Sequence, residues 1–152
     1  MSPRSVEIVE ASRAQQPVLA NLLELYQYDF TEFDTGDVDD AGRFGSPFLD
    51  LYWDEPDRHP FLLRVDGKWA GAALVRSGGP NDMAEFFVMR KYRSGGIGTQ
   101  FARDLFGRFP GAWTVRELHT NLPAQAFWRR AIPVPFEEDA WARGPMQRFT
   151  MA

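Results

Sequence analysis

Arg93-Ser94-Gly95-Gly96-Ile97-Gly98-Thr99 stands between an apolar run, Phe86-Phe87-Val88-Met89, and a helical pattern, Thr99-Gln100-Phe101-Ala102-Arg103-Asp104-Leu105-Phe106. Strand, glycine turn, then helix is a layout that aims free backbone N–H groups at an anion. The first N–H groups of a helix have no partner inside it. The helix dipole adds roughly half a positive charge at that end, so a phosphate binds there with little help from side chains. Glycine lets the backbone approach closely and take positive φ, and Arg93 adds a planar fork of donors. The stretch predicts a phosphorylated ligand docked on this turn. A P-loop fits worse, because Thr99 and Gln100 follow Gly98 with no lysine. A dinucleotide fingerprint fits poorly, because Phe101 replaces its third glycine and His119 and Asn121 lie where an acid is expected.

Outward from this turn the pattern is regular. Val6-Glu7-Ile8-Val9 alternates and reads as a strand. Ser12 and Gln15 have capping-box spacing, while Pro17 suits the first position of a helix starting near Gln16. Val18, Leu19, Leu22, Leu25 and Tyr26 are expected to form one apolar face of a helix ending near Tyr28. Residues 30–59 are irregular, with room for a short second helix. Phe61–Val65, Asp66-Gly67 and Lys68–Val75 read as a hairpin, since Asp-Gly favours a type I′ turn. Ser77–Asp82 reads as a loop, Ala84–Met89 as a strand, Gly98–Phe109 as a helix, Trp113–Leu118 as a strand and Pro123–Arg130 as a short helix. Phe136–Trp141 and Met146–Met151 read as a last hairpin through Arg143-Gly144-Pro145. Hairpins mixed with one crossover imply an α/β chain with a mixed sheet and helices on both faces.

The 152 residues suit one domain, 1–152, with its own core. A hydrophobic share of 44% argues for a globular fold, and a net charge of −4 argues against nucleic acid as a partner. The absence of cysteine excludes disulfides, thiolate metal sites and a cysteine nucleophile, and no metal site is expected. It is compatible with a reducing cytoplasm. Met1 to Glu10 shows no signal peptide, and no apolar run reaches the roughly 20 residues that span a membrane.

Two blocks carry a family resemblance. Arg93, Gly96 and Gly98, as Arg-x-x-Gly-x-Gly, resemble the acetyl-CoA pyrophosphate loop of the GCN5-related N-acetyltransferases, the GNAT superfamily. Asn121-Leu122-Pro123-Ala124-Gln125-Ala126-Phe127-Trp128 looks like the segment after that family's fifth strand, where an Asn opens a helix beside the pantetheine arm. The blocks come in the family's order, and the core resemblance runs from Phe61 to Ala131. It implies the GNAT-like fold, a mostly antiparallel twisted sheet that splays between the strands ending at Met89 and Leu118. It also implies acetyl-CoA as cosubstrate, held by Val88, Arg93, Ser94, Gly95, Gly96, Ile97, Gly98, Thr99, Asn121 and Trp128.

Amide formation from a thioester needs a neutral amine, a stabilised oxyanion and a proton for the departing thiolate. In a family-like geometry the backbone N–H near Val88 would polarise the thioester carbonyl. An alkylamine is protonated at neutral pH, so a base must deprotonate it. Glu85, the only acid within the strand that leads to the loop, is the first candidate; some family members use a glutamate there. Asp82 and His119 are alternatives, and the histidine's ordinary pKa near 6.5 suits proton transfer. Many members carry a tyrosine seven places after the motif Asn, and here that place is Trp128, whose indole N–H is no acid. Tyr26, Tyr28 or a water would then serve the thiolate, or it would leave unassisted, its thiol pKa being about 8.5. The acidic, aromatic stretch Asp29–Asp40 suggests a small cationic amine as acceptor. A second reading is a non-catalytic acyl-CoA-binding or regulatory module, and a third is an interaction domain built on the 14% aromatic content. The terminal strands leave room for a homodimer, which the sequence does not decide.

Overall fold

The computed structural model describes residues 4–152; residues 1–3 of the N-terminal stretch lie outside it. β1 (Val6–Glu10) leads through a helical turn at Arg13–Gln15 into α1 (Gln16–Phe30). Both readings of the helix start hold: Ser12 N–H donates to Gln15 Oε1 at 2.9 Å on the turn, and Pro17 sits in the first turn of α1. Leu19, Leu22 and Leu23 are buried. Leu25 is 47% exposed, against expectation, because the Leu19–Leu22–Leu23–Tyr26 stripe faces the sheet and Leu25 falls outside that stripe.

The loop after α1 is tied back onto it. The Glu24 carboxylate accepts from the Phe44 and Gly45 N–H groups, each at 2.9 Å, and Gln27 Nε2 donates to the Gly45 carbonyl at 2.8 Å. The expected short helix is α2 (Leu51–Asp54), anchored where Trp53 Nε1 donates to the Ala11 carbonyl at 2.9 Å. β2 (Arg58–Val65) and β3 (Lys68–Arg76) form the predicted hairpin. β4 runs Asn81–Val88, starting earlier than the sequence suggested. Parallel pairing of Asn81 and Asp82 with Trp113 and Thr114 draws both into the sheet.

α3 (Ile97–Arg108), β5 (Gly111–Arg116) and α4 (Leu122–Ala131) follow, then β6 (Glu137–Trp141) and β7 (Gly144–Met151). The last turn is made by Ala142 and Arg143, since Gly144 and Pro145 already pair with Trp141 and Ala140. The strand order is β1-β2-β3-β4-β5-β7-β6, antiparallel except at β4–β5. β7 inserts beside β5, leaving β6 at the edge.

Each face of the sheet has its own core. Phe61, Phe101, Phe106, Trp113 and Phe149 pack under α3 and α4, while Leu19, Leu62, Ala72 and Leu74 pack under α1 and α2.

Candidate active site

β4 and β5 pair only at Asn81–Trp113 and Asp82–Thr114 and then part, the splay that the family resemblance implied. The gap opens into a groove of about 1320 Å³ lined by α1, β4, β5, α4 and the start of α3. Val88 stands opposite Gly71, and the next residue, Met89, donates its N–H to the Ala70 carbonyl at 2.8 Å. In an antiparallel ladder this makes Val88–Gly71 a non-hydrogen-bonded pair, so the Val88 N–H faces the gap. The Val88 carbonyl faces it too and accepts Arg93 Nε at 2.7 Å.

At the groove's end Gly96 caps α3 with φ 82°, a left-handed conformation that suits glycine. Ser94 also has positive φ, 68°. Alternating left-handed residues before a helix form a concavity of N–H groups suited to an anion. Arg93, Ser94, Gly96, Gly98 and Thr99 line the groove; Gly95 is exposed beside it, and the Ile97 side chain is buried in the core. Only the backbone of Ile97 is therefore available to a ligand. The Arg93 guanidinium is held by Asp29 at 2.5 Å, and Arg90 shares that carboxylate at 2.7 Å.

Glu85 lies on the groove wall on the α1 face of the sheet. Its register partner is Leu74, a member of the α1-side core, and the bulge that follows leaves Ala84 as the extra residue of β4. Burial raises the Glu85 carboxyl above its usual range, partly offset by the neighbouring Tyr26 hydroxyl. Burial and the Glu85 charge push Tyr26 well above an ordinary phenol, so Tyr26 stays neutral at physiological pH.

Comparison with known proteins agrees with this geometry. The sequence profile described as the acetyltransferase (GNAT) family matches residues 19–132. The chain belongs to the GNAT acetyltransferase family. No curated protein sequence matches significantly. Among solved structures, a GNAT-family acetyltransferase from Staphylococcus aureus MU50 is 13% identical with TM-score 0.71, covering 97% of this chain and 100% of its own. The PaiA N-acetyltransferase from Thermoplasma acidophilum, solved with coenzyme A, is 9% identical with TM-score 0.69, over 96% of this chain and 99% of its own. An aminoglycoside acetyltransferase, meta-AAC0020 from an uncultured soil metagenomic sample, is 17% identical with TM-score 0.65, over 90% and 93%. At these identities the likeness is one of fold.

Other residues singled out in this GNAT chain fall differently. Asn121 caps α4, its Oδ1 accepting the Ala124 N–H at 3.1 Å, and lines the groove. Trp128 forms part of the groove wall but is 6% exposed, packed against Phe86, Phe106 and Phe127. His119 is not brought to Glu85; it lines a separate small pocket with Phe33, Thr120 and Arg143, because β5 ends at Arg116 and His119 falls in the turn before α4. Tyr28 is 65% exposed and lies off the groove. Asp82 is tied up by Thr114 Oγ1 and Arg116, both at 2.8 Å. Half of the acidic segment is engaged within the fold: Asp29 holds Arg90 and Arg93, Asp34 pairs with Arg143 at 3.0 Å, and Asp39 Oδ1 accepts the Ala41 and Arg43 N–H groups at 2.9 and 3.0 Å, while Glu32 and Asp34 line the groove.

The sequence reading missed Glu117, at the end of β5 on the groove wall and 4% exposed. Its Oε1 accepts Gln147 Nε2 at 2.9 Å, while Oε2 is buried without a partner among the described residues. Burial pushes this carboxyl up to about 7, against the Gln147 hydrogen bond and the Arg129 charge. The basic end of the groove, with Arg58 and Arg76, was also missed.

Proposed function

We propose that this protein transfers an acetyl group from acetyl-CoA to a small primary amine by direct attack, without an acyl-enzyme. The observation that carries the reading is the parting of β4 from β5, with the Val88 N–H turned into the gap and Glu85 on its wall. The N-terminus of α3, with Arg93, Ser94, Gly95, Gly96, Ile97, Gly98 and Thr99, fits a pyrophosphate through backbone N–H groups. Asn121 and Trp128 flank the path of the pantetheine arm. Acetyl-CoA supplies an acyl carbon activated as a thioester. Glu85 takes the ammonium proton, directly or through a water. The amine lone pair forms the C–N bond as the C–S bond breaks, and Val88 N–H donates to the carbonyl oxygen while charge builds there. The second amine proton leaves to the departing thiolate. A raised Glu85 pKa brings this base nearer the working pH. The acceptor enters as an ammonium ion, which Glu85 attracts.

Coenzyme binding without turnover is the second reading, favoured by the burial of Trp128 among aromatics where many members carry tyrosine. Calorimetric titration with acetyl-CoA and with coenzyme A, followed by thiol release with an amine panel, separates the two. Micromolar binding with turnover supports transfer, and binding without turnover on any amine supports the module. Absence of binding removes both.

A further inference from the structure

The groove continues past Glu85 to the end of the sheet, and that end is basic. Arg58 opens β2, Arg76 closes β3, Asp82 stands near the start of β4 and Arg116 closes β5. Arg58 and Arg76 are direct cross-strand partners, as are Arg76 and Asp82. Arg76 lies two residues from Leu74, so strand alternation puts it on the α1 face with Glu85. Arg58, Arg76, Asp82 and Arg116 all line the groove.

Like charges directly opposite each other across strands repel, and the local acids relieve this only on the Arg58 side. Asp82 is held by Arg116 and Thr114. Arg58 meets Glu55 at 3.3 Å through its Nε, lies 5.5 Å over the Tyr52 ring, and has a side chain only 16% exposed. Arg76 makes no ion pair among the described residues. Tyr52, Arg58, Arg76 and Glu85 all line the same groove, and burial raises the Tyr52 hydroxyl there. Two residues along the strand amount to about 7 Å, within reach of one small molecule. A guanidinium fork matches a carboxylate or phosphate.

We propose that the acceptor carries an anionic group, a carboxylate or a phosphate, which Arg76 and Arg58 hold at the end of the groove while its amine reaches Glu85. The proposal rests on the acyl-transfer reading above and adds its substrate class, an amine with an anion several bonds away. An acceptor cationic at both ends would set its second ammonium against the arginines.

The test is thiol release with acetyl-CoA and matched amines: γ-aminobutyrate and its neutral amide, phosphoethanolamine and ethanolamine, and the diamine putrescine. The same amines are titrated calorimetrically into the protein saturated with coenzyme A, so that acceptor binding is read without turnover. The anionic members are expected to exceed their neutral counterparts about tenfold or more in kcat/KM or affinity, mainly through KM, as one charge-assisted hydrogen bond warrants. The carboxylate and phosphate arms tell which anion the site takes. Arg76→Gln should bring the ratio close to unity and Arg76→Lys restore part of it, with acetyl-CoA affinity as the folding control. Preference for putrescine or the neutral amines, a ratio that survives Arg76→Gln and Arg58→Gln, or no binding of either anionic amine overturns this inference alone. Failure of acetyl-CoA to bind overturns the acyl-transfer reading and this inference with it.

Discussion

Glu85 is a base only while ionised, and burial raises the pH at which it becomes so. Turnover should therefore fall on acidification through a point above the ordinary glutamate value of about 4.3. Glu85→Gln should keep acetyl-CoA affinity, lower kcat by about 10²-fold or more, and erase that acid limb; a variant with near-normal kcat would remove Glu85 from the mechanism. Glu117 bears on stability. Its folded pKa of about 7 lies above the unfolded value of about 4.3. Below the unfolded value both states are protonated and its contribution is complete. Between the two values the folded state holds a proton the unfolded state has lost, so stability falls as pH rises through the window. Thermal midpoints should thus decline from about pH 4 to about pH 7, and Glu117→Gln should flatten that decline. An unchanged slope in the variant would mean that Glu117 ionises freely in the folded protein.

At the scale of elements, the turn before α3 has two kinds of glycine. A Cβ at Gly96 would meet open space but force a side chain into φ 82°, whereas one at Gly98 would lie 3.2 Å from Phe127 Cε1 and 3.8 Å from Val88 Cγ2. Gly98→Val should abolish coenzyme binding in calorimetry, by crowding Phe127 in the groove wall and blocking the backbone approach of the phosphates. Normal affinity in that variant would refute the phosphate-loop assignment. Asp29 at the end of α1 holds Arg90 and Arg93 beside the same turn. Asp29→Asn should tighten coenzyme binding several-fold at low salt, by removing a charge that repels phosphate, and the gain should shrink as salt screens it. The turn, the Asp-Gly hairpin and the Asn121 cap were legible in the sequence because each is made by neighbours in the chain. The face of Glu85 was not, because a bulge at Ala84 changes the alternation of β4. Nor was the Asp29–Arg93 pair, 64 residues apart, or the Arg58–Arg76 pair, which exists only through strand register.

For the whole molecule, the sheet is held between two separate cores, and the one under α3 and α4 is the more aromatic. Phe106 meets Trp113 and Phe149 edge-on, each at 5.0 Å between ring centroids. Phe106→Ala should cost about 3–5 kcal/mol, read as a lower midpoint in chemical denaturation; a loss below about 1 kcal/mol would mean that the cavity collapses and refills. Fold class and element order were readable from patterning, but the insertion of β7 between β5 and β6 was not, since nothing local in either strand says which is the edge. The short β4–β5 ladder divides the sheet into a four-stranded and a three-stranded half joined by two residue pairs. Such a seam is where a protein breathes. Deuterium uptake should differ between adjacent amides of one strand. Phe87, paired on the β3 side, stays protected, while Val88, facing the seam, exchanges early and slows only when something fills the gap.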